Sequence, residues 1–318
     1  MTEEPTGTVD PPLRLADLDQ LRLVATRANS AATTREMLAG IIASSVLRLI
    51  EQVPLLPHGI DSEAVHQARV ATRRLRSDLR TFRPLFEVAW AEDLRVELSW
   101  LADALGEVRD ADVLFDRVIA ELADIDGPPT GRRVVLHELT SRREGARARM
   151  LAALAQARFP ALLAALARAA IDPGLSGAAD EPANEALPRF AARPWKKLHA
   201  AVGRLGDNPS DDDLHAVRIA AKRARYAAEA VEPVVGAPAR RYASAVAELQ
   251  GALGDYHDTV VAREWLDAVA PRLRRGGAFY AGALAERERE RGVIALGQWA
   301  AAWKHASRPR LRRWLDVD

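Results

Sequence analysis

Cysteine is absent from the chain, which removes disulfide frameworks and thiolate metal sites from consideration and suits a reducing compartment. Lysine is scarce: Lys196, Lys197, Lys222 and Lys304 are four of the 45 basic residues, leaving 41 arginines. Aromatic residues make up 5% of the chain, and alternating β-branched and aromatic runs are few, which argues against a sheet-based fold. No uncharged apolar run approaches the ~20 residues needed to span a bilayer. The best of them, FPALLAALARAAI at 159–171, is interrupted by Arg168. There is no surplus of one sign, since the formal net charge is +1, so any positive surface must come from uneven distribution. The opening MTEEPTGTVDPP is acidic and lacks the basic-then-apolar order of a signal peptide. These absences lead to the expectation of a soluble, cytoplasmic protein.

What fills the chain is alanine, leucine, arginine and glutamate, the better helix formers. Clusters of proline, glycine and acidic residues at 53–61, 124–131, 171–188, 206–213 and 231–238 mark helix ends. The expected helices cover 14–29, 33–52, 61–87, 90–124, 130–170, 188–205, 211–231, 238–269 and 271–306, with a short piece after Pro309. The expected organisation is a tail and lead-in helix over 1–30, one helical repeat over 31–171, a linker at 172–188, a second repeat over 189–306 and a tail at 307–318.

The chain repeats itself. A shift of 149 residues lays VHQARVATRRLRSDLRTF (65–82) on LHAVRIAAKRARYAAEAV (214–231), aligning His66 with His215, Arg69 with Arg218, Arg73 with Lys222, Arg74 with Arg223 and Arg76 with Arg225. The following helix aligns at a shift of 148, LADALGEVRDADV (101–113) on LQGALGDYHDTVV (249–261), which pairs Arg109 with His257 and Asp110 with Asp258. Two motifs in one order at nearly one offset indicate a tandem duplication.

At 100° per residue, His66, Arg69, Arg73, Arg76 and Arg80 fall on one arc about 80° wide. Ala68, Ala71, Leu75, Leu79 and Phe82 lie opposite as the expected core stripe. His215, Arg218, Lys222 and Arg225 form the second arc, with Val217, Ala220, Ala224 and Val231 opposite; Glu229 stands where the first copy has Arg80. Each like-charge pair at helical spacing costs about 0.2–0.5 kcal/mol, and here the cost recurs at matching positions. A face that merely meets water mixes signs, as ERERER at 286–291 does. An anionic partner with phosphate-like oxygens offsets the repulsion through paired arginine hydrogen bonds and counterion release.

Both copies fit the pattern H-x-x-R-[VI]-x-x-[RK]-[RK]-x-R and resemble the two signature helices of the CHAD family, the conserved histidine α-helical domain; LGEVRDADV resembles that family's second motif. The resemblance covers about residues 30–306. It implies an all-α fold of two four-helix-bundle-like repeats related by a pseudo-two-fold axis, with both basic helices facing a central groove or pore. It also implies binding of inorganic polyphosphate there, association with polyphosphate granules, no cofactor and no established chemistry. The E-x-E-x-K motif of a triphosphate-tunnel domain is absent from the first 30 residues, so a stand-alone domain is expected. Carried over by position, the binding candidates are His66, Arg69, Arg73, Arg74, Arg76, His215, Arg218, Lys222, Arg223 and Arg225. Arg80 joins them on stripe geometry, Arg109 and His257 stand second, and Arg142, Arg143 and Arg287 are rim candidates. Arg74 and Arg223 lie off the main arc and are open to contact with a neighbouring helix, while Asp110 and Asp258 are expected to hold a basic side chain.

Three other classes compete with this reading. A metal-dependent phosphohydrolase would use His66, His215 and His257-Asp258, but arginines around each histidine oppose a cation, and Arg109, equivalent to His257, cannot ligate one. A nucleic-acid binder would show base-reading or stacking side chains, for which Tyr226 is the one candidate on the stripes. A purely structural scaffold leaves the duplicated cations without a reason. His58, His137, His199 and His305 have no second copy and are expected to be ordinary surface or core residues. The preferred reading is a positive channel roughly 25–30 Å long, from 15–20 helical residues at 1.5 Å each, that binds a linear polyphosphate without turning it over.

Overall fold

The computed structural model describes residues 15–27, 33–58 and 62–315. The acidic segment 1–12 and the outer edges of the first and third expected helices lie outside them. Among the described residues there are eleven α-helices and no strand. In order they are α1 (Leu15–Arg27), α2 (Thr34–Gln52), α3 (Ser62–Thr81), α4 (Val88–Leu122), α5 (Pro129–Leu154), α6 (Arg158–Ile171), α7 (Ala183–Gly203), α8 (Asp211–Val235), α9 (Ala237–Val269), α10 (Arg275–Ala306) and α11 (Pro309–Arg312). No single described helix is long and apolar enough to cross a membrane.

Several expected boundaries move; the helix expected to end at 231, for one, runs on to Val235 with Pro233 inside it. The third helix stops at Thr81: Pro84 has no N–H to donate to the Arg80 carbonyl, and the chain turns through a short 3-10 segment, Arg83–Leu85. The span read as 130–170 is two helices bent by 66°. Pro160 lacks the N–H that an unbroken helix would donate back across 155–157. The helix expected from 188 begins at Ala183 and carries Pro188 and Pro194 inside it.

Capping explains the starts that position the site. Ser210 accepts a hydrogen bond from the Asp213 N–H and the Asp213 carboxylate accepts one from the Ser210 N–H, a capping box that begins α8. Asp211, Asp212 and Asp213 add negative charge at the positive end of the helix dipole. Thr33 and Glu36 make the same device at α2.

The segment after α6 is laced to the first half. Thr34 N–H donates to Glu181 O at 3.0 Å, and Glu87 N–H donates to Gly174 O at 2.8 Å. The core stripe expected on α3 is fully inside, with Ala68, Ala71, Leu75, Leu79 and Phe82 at most 2% exposed, and Val217, Ala224 and Val231 of α8 match it. These side chains belong to one large core drawn from both halves of the chain. A second, smaller core joins the far ends of the two hairpins α4–α5 and α9–α10, through Val118, Leu122 and Val135 on one and Trp265, Leu266 and Tyr280 on the other.

Candidate functional site

α3 packs on α4 and α8, and α8 packs on α9, so the two arginine-rich helices lie side by side with the second motif of each half beside them. The glycines of the second motif lie beside these arginines in both halves, at distances where an alanine Cβ would make ordinary contact. A Cβ on Gly106 would stand 3.8 Å from Arg69 Nε, and one on Gly254 would stand 3.9 Å from Arg218 Nε, so each guanidinium lies against a bare helix backbone.

Three cavities follow one another along the pair. The first, about 510 Å³, brings together His66, Arg69, Arg109, His215, Arg218, Lys222 and His257, with Asp110 and Asp258 on its wall. The second, about 280 Å³, shares Lys222 with it and adds Arg73, Arg76, Arg80, Arg223 and Tyr226. The third, about 650 Å³, shares Arg80 and Arg223 with the second. Eleven of the thirteen binding candidates therefore line a continuous track. Arg225 and Arg74 line none of the three cavities; both lie over the Tyr226 ring, at 5.0 and 5.8 Å.

The track is short of negative charge. Among the described residues Arg73, Arg76, Arg80, Arg109, Arg218, Lys222 and Arg223 form no ion pair, while Arg69 pairs with Asp110 at 3.3 Å. The Nε atoms of Arg73, Arg74, Arg218 and Arg225 are buried without a hydrogen-bond partner. Buried donors left unmade are costly; four of them lie on α3 and α8, and Arg95, Arg147 and Arg312 on other helices carry the same kind of atom.

Titration follows from this crowding. Burial, with Arg218, Arg73 and Arg69 close by, pushes the Lys222 ammonium down to about 7. Burial lowers Arg73, Arg80, Arg218 and Arg223 as well, with neighbouring arginines adding to it in each case and Asp258 and Asp110 opposing it at Arg218. Burial, then Arg109, lowers His66, and burial, then Arg218, lowers His215. His257 falls to about 4 through burial, Arg218 and His215. The His215 and His257 rings stand 4.7 Å apart with their Nδ1 atoms at 3.4 Å, so one neutral ring can donate weakly to the other. Among the described residues no three histidine, aspartate or glutamate side chains converge as metal ligands.

Some candidates are placed otherwise than expected. Arg74 makes an ion pair with Glu229 across the two helices, and Arg225 meets the same carboxylate at 3.4 Å. Of the three rim candidates, Arg142 lines the first cavity, whereas Arg143 and Arg287 are occupied. Arg143 Nε donates to buried Asp112 at 2.5 Å, and Arg287 to Glu121 at 2.9 Å. Tyr226 is only 3% exposed and is covered by Arg73, Arg74 and Arg225, which leaves no free face for a base. The ERERER run is not uniformly solvated, because Glu288 is 1% exposed and pairs with Arg117. Arg117 also lines the first cavity, and neither motif signals it, since its equivalent in the second half is the apolar Trp265. His199 packs on Trp195 and Trp303, and His305 meets Glu248 at 2.9 Å.

Fold and site together define an all-α protein built around two adjacent basic helices. The chain belongs to the CHAD domain family, whose model matches residues 40–267. It is 24% identical to PptA from Streptomyces chartreusis, with a TM-score of 0.73 over 86% of this chain and 100% of that one. The CHAD domain from the plant Ricinus communis is 26% identical, with a TM-score of 0.63 over 90% of this chain and 93% of that one. The uncharacterized protein Rv2226 of Mycobacterium tuberculosis is 35% identical over 238 residues, 70% of this chain and 44% of the relative. The chain thus spans less than half the length of the curated relatives it matches.

Proposed function

We propose that the chain binds inorganic polyphosphate along the track between α3 and α8, without turnover, and that this binding attaches it to polyphosphate-rich granules. The observation that carries the reading is the row of semi-buried cations in which Arg73, Arg76, Arg80, Arg109, Arg218, Lys222 and Arg223 form no ion pair among the described residues. A linear chain of phosphates supplies one acceptor group after another along a helix face, and each arginine fork can hold two of its oxygens. The covered Tyr226 ring weighs against nucleic acid, since a base has nothing in the track to stack on.

The test is titration calorimetry with long-chain polyphosphate, pyrophosphate and duplex DNA, on the wild type and on Arg73→Ala/Lys222→Ala. Long-chain polyphosphate is expected to bind tightest and to displace DNA. Each lost charge-assisted contact is worth about 1.5–3 kcal/mol, so the double variant is expected to lose at least about a hundredfold in affinity. Equal affinity for DNA, or a double variant that binds like the wild type, would sink the proposal.

A further inference from the structure

Two cavities flank the basic track, and their walls are built from equivalent positions of the duplicated sequence. The one beside α2 is lined by Ser44, Arg48, Arg74, Asp78 and Glu229. The one beside α7 is lined by Arg80, Arg83, Arg95, Arg193, Lys197 and Arg223. The 149-residue shift places Arg193 on Ser44, Lys197 on Arg48, Arg223 on Arg74 and Glu229 on Arg80. The same shell has therefore been given a mixed, self-neutralising lining on one side and a strongly basic one on the other.

On the α2 side the cavity is small, about 190 Å³, and of its two cations Arg74 is spent on Glu229 while Arg48 forms no ion pair among the described residues. Glu229 accepts from Arg74 and meets Arg225, and Asp78 is buried beside them. On the α7 side the cavity is about 650 Å³. Its one acid, Glu92, is held by Arg95 at 2.5 Å, while Arg80, Arg83, Arg193, Lys197 and Arg223 form no ion pair among the described residues. Arg80 and Arg223 line both this cavity and the central one, so the two are continuous.

We propose that the track is one-sided: a long polyphosphate leaves the central cavity past Arg80 and Arg223 and continues over Arg193 and Lys197, while Glu229 bars the equivalent route past Arg48. The site at Arg193 and Lys197 takes a further stretch of the same linear polyanion and so sets the length of chain that is fully engaged. Neither residue belongs to the histidine–arginine motif. This inference rests on the polyphosphate reading above.

The experiment compares Arg193→Ala/Lys197→Ala with Arg48→Ala, all exposed positions, for binding of long-chain polyphosphate and of tripolyphosphate at several salt concentrations. The α7-side variant is expected to lose about tenfold or more for the long chain. Its dependence of log affinity on log salt is expected to fall by about one for each lost phosphate contact, and tripolyphosphate, short enough for the central cavity, is expected to bind unchanged. Arg48→Ala is expected to match the wild type. If Arg193→Ala/Lys197→Ala binds the long chain with wild-type affinity and salt slope while Arg73→Ala/Lys222→Ala has lost it, the extension is wrong and the central reading stands. If Arg48→Ala loses as much as the α7-side variant, the track is two-sided and the inference is overturned. A wild type that does not bind polyphosphate overturns both readings.

Discussion

Lys222 is the residue whose chemistry depends most on its surroundings. Held at about 7 by burial and by Arg218, Arg73 and Arg69, its ammonium is largely deprotonated above that pH in the free protein. A polyanion in the track opposes those cations and raises the group's affinity for its proton. Binding above pH 7 therefore takes up a proton, and affinity declines as pH rises above about 7. Calorimetry at about pH 8.5 in two buffers of different ionisation enthalpy is expected to show uptake approaching one proton per site. Lys222→Arg, which keeps its charge, is expected to abolish that uptake; identical uptake in the two proteins would rule out Lys222 as its source. The three histidines of the track, all lowered, are neutral hydrogen-bonding groups near neutral pH in the free protein.

At the scale of elements, the site depends on two long hairpins being held at their tips as well as at their bases. α5 and α10 begin against each other so closely that a Cβ on Gly131 would lie 2.2 Å from Gly276 O. The obstructing atom belongs to the backbone, so no side chain can swing away. Gly131→Ala is expected to destabilise the protein by about 1–3 kcal/mol, the usual range for overpacking, read as a lower denaturation midpoint. A variant as stable as the wild type would show that the tips can separate freely. Behind this contact, buried Glu288 and Asp112 hold Arg117, Arg143 and Arg147, which ties α10 to α4 and α5 to α4. Removing one partner of such a pair leaves a buried charge, so these ties are structural, and even Arg117, which lines the first cavity, already has a counter-charge.

For the whole molecule, the duplication did not produce two independent bodies. The large core takes side chains from α1 to α6 and likewise from α7 to α11, and the small core joins α4 and α5 to α9 and α10. Unfolding is accordingly expected to be one cooperative event, with far-ultraviolet circular dichroism and tryptophan fluorescence giving coincident thermal transitions. Two separated transitions would mean that the halves hold their structure alone. The shared core also fixes the distance between α3 and α8, and hence the width of the track.

The sequence by itself determined the helical class, the duplicated cationic stripes and the core faces opposite them, because periodicity and composition act within a single helix. Asp110 beside Arg69 was legible in the same way, whereas its equivalent Asp258, expected to hold a basic side chain too, forms no ion pair among the described residues. It did not determine which cations stay unpaired. Arg74 and Arg223 are equivalent in the duplication, yet one is neutralised by Glu229 and the other faces Arg80. Arg143 and Arg287 carry the same charge as Arg73, yet they sit against carboxylates from other helices. Partners of this kind come from residues as much as 171 positions away, as Arg117 and Glu288 are. Only the packing of helix on helix sets those distances, and only tertiary structure separates an arginine already answered inside the protein from one that still faces the track without a counter-charge.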